Sequence, residues 1–106
     1  MITQTEIEKV ARDIGKTVNA EKVILFGSHA NGQPKDSSDV DLLVVAESNQ
    51  PRHKRSRELY KSIHPHRFAM DIVVYTPEEV RRGCRTKVSF ISQVLREGKA
   101  VYVRGT

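Results

Sequence analysis

Three short apolar runs constrain this chain more than any other feature. They are V-I-L-F (Val23 to Phe26), D-V-D-L-L-V-V-A (Asp39 to Ala46) and F-A-M-D-I-V-V-Y (Phe68 to Tyr75). Each is too short for a buried helix and is bounded by charge, glycine or proline, which suits strands covered on both faces. The intervening stretches carry helical signals. Ile7, Val10, Ala11, Ile14 and Val18 recur at spacings of three and four over residues 4–18, with Thr3-x-x-Glu6 as a capping box and Gly15 and Asn19 loosening the far end. Residues 52–63, R-H-K-R-S-R-E-L-Y-K-S-I, form a basic helix anchored by Leu59, Tyr60 and Ile63. Thr76-Pro77-Glu78-Glu79 opens another helix, and Val88, Ile91, Val94 and Leu95 mark the stripe of a further one ended by Gly98. Ala100 to Val103 makes a short last strand. Alternating helices and strands give an α/β (α+β) class, a single mixed β-sheet flanked by helices. At 106 residues, 1–106 is expected to be one domain that buries roughly two-thirds of its unfolded surface without disulfides.

The second run contains an anomaly. Side chains alternate along a strand, so Asp39 and Asp41 share a face with Leu43 and Val45, while Val40, Leu42 and Val44 point the other way. The two carboxylates stand roughly 6.6 Å apart along the strand. Like charges so placed need compensation. Divalent metal provides it: Mg²⁺ takes oxygen ligands from one or two carboxylates, water and substrate phosphates, and a pair of ions can clamp the attacking and leaving oxygens of an in-line phosphoryl displacement. One strand cannot encircle two ions, so a third acid is expected from a neighbouring strand. Asp71, alone in the middle of the third run, is the candidate. The bland alternative has Asp39 closing a turn, Asp41 solvated and Asp71 capping something nearby. Mid-strand acids are disfavoured by β-propensity, and two of them beside a phosphate-type loop favour the functional reading.

That loop is G-S-H-A-N-G-Q-P-K-D-S-S, residues 27–38, read as turns with room for one helical turn after Gly27. Gly27 and Ser28 follow directly on a buried strand. Glycine admits close approach of backbone to ligand, leading N–H groups of a helical turn attract phosphate, and a serine hydroxyl adds a donor. Most Gly-Ser pairs are only turns; this one matters because it precedes the aspartate pair.

Charge is uneven. Residues 1–50 hold five Lys/Arg against eight Asp/Glu, net −3, and residues 51–106 hold thirteen against five, net +8. The split suggests a partner carrying phosphates, whether nucleotide, nucleic acid or acidic protein. No helix-turn-helix or RNA-binding motif is visible, so nucleic acid is not favoured. The run Arg52 to Arg57 reads equally as a solvated face or an acidic-partner surface. His29, His53, His64, His66 and Cys84 show no zinc spacing. The lone Cys84 reads as an ordinary intracellular thiol. There is no signal peptide and no membrane-length apolar run, and a cytoplasmic protein is expected.

The segment G-S-H-A-N-G-Q-P-K-D-S-S-D-V-D-L-L-V-V resembles the signature of the polymerase-beta-type nucleotidyltransferase superfamily. Gly32, the form S-D-x-D-L-L-V and the closing R-E-G-K-A-V-Y (Arg96 to Tyr102) are similar to the minimal nucleotidyltransferases, or MNT proteins. The resemblance implies a polymerase beta-like nucleotidyltransferase fold and two Mg²⁺ ions held by Asp39, Asp41 and Asp71. It implies an NTP, with ATP the first expectation, whose triphosphate lies on Gly27 and Ser28. An acceptor hydroxyl would attack the α-phosphate and take NMP with loss of pyrophosphate, and Asp71 would help activate that acceptor. MNT proteins are frequently paired with HEPN toxins, as antitoxins, and some add AMP to a tyrosine of the partner. The resemblance therefore implies a HEPN-family partner protein presenting the hydroxyl. The competing reading is a non-catalytic antitoxin that neutralises its partner by contact alone.

Overall fold

The computed structural model describes residues 2–32, 39–63 and 68–105. The spacer 33–38, with Ser37 and Ser38, and the His64-Pro65-His66 segment lie outside the described residues. Helix α1, Gln4–Val18, starts at Thr3, whose hydroxyl accepts from the Glu6 N–H at 3.1 Å while the Glu6 carboxylate accepts from the Thr3 N–H at 3.4 Å. It ends at Asn19, which takes the left-handed conformation with φ 52°. The strands β1 (Lys22–Phe26), β2 (Val40–Val45), β3 (Met70–Tyr75) and β4 (Lys99–Val103) form one sheet in the order β3-β2-β1-β4. β1 is antiparallel to both β2 and β4, and β2 is parallel to β3. The parallel pair needs a crossover, and helix α2 (Arg52–Ser62) supplies it. Helices α3 (Pro77–Gly83) and α4 (Phe90–Glu97) separate β3 from β4. This is the mixed sheet flanked by helices that the alternating pattern requires.

Both faces are covered, which is why the strands read as nearly unbroken apolar runs. On one face Val23, Leu25, Val40, Leu42, Val44, Ile72 and Val74 pack under Ile7, Val10, Ala11 and Ile14 of α1 and Leu59 of α2. On the other, Ile24, Leu43 and Val45 pack under Ile91 and Val94 of α4, with Val73, Tyr75 and Val80 at the margin. Leu42, Leu43 and Val44 are fully buried, each contributing about 1.5–3 kcal/mol of transfer free energy. Gly15 does more than loosen the end of α1. It is buried, and a Cβ there would overlap the Tyr102 ring of β4, so glycine is what lets the last strand seat against the first helix. Val88 falls outside the stripe in which the sequence places it. Ser89 accepts from the Ser92 N–H at 3.0 Å and sets the start of α4 after it, leaving Val88 90% exposed.

Helix α2 buries only Leu59 and is otherwise held by polar side chains. Arg55, 9% exposed in its side chain, donates to the Gln50 carbonyl at 2.8 Å, to the Val74 carbonyl at 3.2 Å and to Glu79 Oε1 at 2.6 Å. Arg52 lies 4.2 Å over the Tyr75 ring and 3.7 Å from Glu79 Oε2. Two cations of the basic run therefore serve the fold. Glu79 closes the capping box of α3, accepting from the Thr76 N–H at 2.8 Å. Burial pushes its carboxyl up, but the Arg55 and Thr76 hydrogen bonds and the charges of Arg55 and Arg52 prevail and hold it at about 2 against an ordinary 4.5. A depressed folded-state pKa stabilises above the unfolded value and loses that contribution as pH falls toward the folded one. Glu79→Gln is expected to cost about 1–3 kcal/mol at neutral pH. Its deficit against wild type should close between about pH 4.5 and pH 2, read from denaturant midpoints across that range. A deficit independent of pH would refute the charge-based account.

No helix among the described residues is long and apolar enough to cross a membrane.

Candidate active site

Asp41 in β2 is the direct register partner of Asp71 in β3 on one side and of Phe26 in β1 on the other. A parallel pair in direct register puts both side chains on the same face, that of Leu43 and Val73, at the strand end beyond the α4 core. Asp71 is exposed and Asp41 half-buried. Asp39 precedes the first residue of β2 and is exposed, so it belongs to the approach to the strand rather than to its ladder.

Gly27 follows Phe26 immediately and has φ +77°, a conformation L side chains rarely adopt. A Cβ at Gly27 would run into Asp41 Oδ2 and sit 3.2 Å from its Cγ. The carboxylate thus occupies the space that any other residue at 27 would claim. Beyond Gly27 the chain makes one turn: its carbonyl accepts from the N–H groups of Ala30 and Asn31, each at 3.1 Å. Ser28 stands at the head of this turn, where leading N–H groups lie outside the turn's own hydrogen bonds.

The acids share one electrostatic neighbourhood. Burial raises the Asp41 pKa above its ordinary 3.8, the charges of Asp71 and then Asp39 raise it further, and His29 pulls it back. The structure therefore brings Asp39, Asp41 and Asp71 within mutual influence, beside Gly27 and Ser28. Among the described residues no group of three His, Cys, Asp or Glu side chains is set closely enough to cage an ion. The donor chemistry is that of an open site: hard oxygen ligands from two adjacent strands, short of neutralising charge. Mg²⁺, which keeps several waters and borrows phosphate oxygens, is suited to such a site.

Sequence reasoning missed three neighbours. His29, noted in the sequence only for lacking zinc spacing, lowers the Asp41 pKa through its charge; its place two residues after Gly27 was the available signal. Tyr60, read as an apolar anchor, reaches β3 through its hydroxyl, which donates to the Met70 carbonyl at 3.0 Å and accepts from the Ile72 N–H at 2.8 Å. Burial raises its pKa, the Ile72 contact opposes that, and the charges of Asp71 and Asp39 add to the rise. The third is a cleft of about 290 Å³ beside Gly27, lined by Phe26, Asn31, Phe90, Gln93 and Glu97. The Phe26 and Phe90 rings meet edge to face there, centroids 5.5 Å apart.

A glycine turn against a strand-borne carboxylate, with a second carboxylate in register on the next strand, is the arrangement that the resemblance to the nucleotidyltransferases implies. The comparisons agree. The sequence profile described as polymerase beta, nucleotidyltransferase matches residues 8–106, and the chain belongs to that family as a nucleotidyltransferase of the MNT type. It is 28% identical over 102 residues to the "putative protein adenylyltransferase" of Methanocaldococcus jannaschii, covering 91% of this chain and 99% of that one. The crystal structure of a "putative nucleotidyltransferase" from Sulfolobus solfataricus superposes with a TM-score of 0.63 at 23% identity. That match covers 95% of this chain and 84% of the other, and it supports the fold.

Proposed function

We propose that residues 1–106 act as one minimal domain that transfers a nucleoside monophosphate, AMP from ATP in the first instance, to a hydroxyl on a partner protein. The observation that carries the reading is the Asp41–Asp71 register pair, with Asp41 set against Gly27 where a Cβ would meet its carboxylate. The preference for AMP and for a protein acceptor draws on the name of the M. jannaschii relative. In this reading the backbone at Gly27 and the hydroxyl of Ser28 bind the triphosphate. Asp39, Asp41 and Asp71 would hold Mg²⁺, two ions by the family resemblance. Bound there, divalent metal supplies positive charge against the phosphates and acidifies the attacking hydroxyl. The acceptor oxygen forms a bond to the α-phosphorus, the bond to pyrophosphate breaks, and the acceptor proton passes to Asp71.

The acceptor we favour is a HEPN-family toxin, which would make this protein a cytoplasmic antitoxin. Incubating the protein with each α-labelled NTP, Mg²⁺ and cell lysate tests the proposal. A labelled protein band that depends on enzyme and on Mg²⁺ is the expected result. Absence of label with every nucleotide, in folded protein, would overturn it in favour of an antidote that works by contact.

A further inference from the structure

The described contacts place α2 against β3 at one spot that bears directly on Asp71. Among the described residues β3 is an edge strand, paired on one side only, with β2. The register puts the peptide groups of Asp71 toward β2, so the neighbouring Met70 carbonyl and Ile72 N–H point outward, where an edge leaves them without a strand partner. The Tyr60 hydroxyl takes both, donating to Met70 at 3.0 Å and accepting from Ile72 at 2.8 Å. One phenol oxygen thereby bridges the two peptide groups on either side of Asp71. Asp71 itself makes no side-chain hydrogen bond or ion pair among the described residues, and it is exposed. Its carboxylate direction therefore depends on the backbone that carries it. A strand end fixed by one ladder can rotate its peptides; one fixed on both sides cannot do so freely.

We infer that Tyr60 is a positioning residue for nucleotidyl transfer, its hydroxyl clamping the Met70 and Ile72 peptide groups so that the Asp71 carboxylate is held beside Asp41. The inference rests on the proposed role of Asp71. Arg55 offers an internal contrast. It caps the same edge at the Val74 carbonyl, three residues farther along, and serves Glu79 as well. If α2 only protected the edge, losing either contact would lower stability and nothing else.

The test compares Tyr60→Phe, Arg55→Gln and Asp71→Asn with wild type. Label transfer is read at saturating NTP and at the NTP concentration giving half-maximal rate, alongside thermal melting and amide hydrogen exchange. Tyr60→Phe keeps the ring and removes both hydrogen bonds. Its maximal rate should fall roughly ten- to a hundredfold, with the half-saturating NTP concentration unchanged and exchange at the Ile72 amide accelerated. Arg55→Gln should melt lower yet keep its maximal rate within about twofold of wild type, since its contacts lie away from the peptides flanking Asp71. A Tyr60→Phe protein with wild-type rate and a faster Ile72 amide would overturn the positioning role while leaving the transfer reading intact. Full activity in Asp71→Asn would overturn the role of Asp71, and that of Tyr60 with it. No transfer by wild type would defeat the functional reading instead.

Discussion

Asp41→Asn protein is expected to fold, to melt higher than wild type when divalent cation is removed, and to lose nucleotidyl transfer by on the order of 10³-fold or more. The two halves of this expectation have one cause. In the folded chain the Asp41 carboxyl is partly buried and sits in the fields of Asp71 and Asp39, so its proton is bound more tightly than in the unfolded chain. A raised folded-state pKa means no penalty at pH below about 3.8, one that grows as pH rises from there to the folded value, and a constant one above it. At neutral pH the penalty is fully present, and asparagine removes it at nearly constant shape. The melting temperature without divalent cation is therefore expected to rise in the variant. Adding Mg²⁺ should reverse the ranking by stabilising wild type and not the variant. Melting curves with and without the ion, beside the label-transfer rate, make the measurement. A variant that melts below wild type without metal would mean that Asp41 holds the strand together, and the electrostatic account would fall.

Gly27→Ala is expected to damage the same site from the other side. The left-handed φ of +77° would cost alanine about 1–2 kcal/mol by itself. The added methyl must also displace the Asp41 carboxylate, because that is where Oδ2 lies. Gly32→Ala separates the two effects. Gly32 has nearly the same φ, +74°, but nothing stands within 4 Å of where its Cβ would be. Both variants should therefore melt lower by comparable backbone strain, while only Gly27→Ala loses transfer, by about a hundredfold or more given an ångström-scale displacement of a reacting group. Equal activity in the two would show that the Gly27 contact with Asp41 has no bearing on the chemistry.

Much of this was legible in the sequence, for identifiable reasons. The period of two put Asp41 on the face of Leu43 and Val45, whereas Asp39, read as part of the strand, precedes it; the capping box at Thr3 and the Thr76-Pro77-Glu78-Glu79 start marked two helix starts that the fold confirms. The order of strands was not legible, because short buried strands carry no record of which neighbour they choose. The register that sets Asp41 beside Asp71 is a tertiary fact. The basic helix was opaque for a different reason. Arg55 turns inward to Val74 and Glu79 and the exposed Arg52 lies over the Tyr75 ring, while Lys54 and Arg57 face solvent, and residue type alone does not distinguish them. Val88 looked like part of a helical stripe because periodicity cannot see a serine cap intervening. Tyr60 looked like an anchor because an aromatic near an apolar stripe usually is one, and only its hydroxyl contacts reveal what it holds.

The seating of β4 has a consequence for the order in which the protein is made. Strand β1, residues 22–26, is interior to the sheet only because residues 99–103 pair with it. Gly15, on α1, waits for Tyr102 in the same way. Everything that forms the Gly27, Asp41 and Asp71 constellation leaves the ribosome some thirty residues earlier. Without residues 99–103, β1 has only β2 as a partner among the described strands. Such an edge is a template for whichever strand arrives first, from this chain or another. Pairing of residues 99–103 thus decides whether the sheet is completed from within, and β1 is most open to intermolecular pairing before that strand is in place.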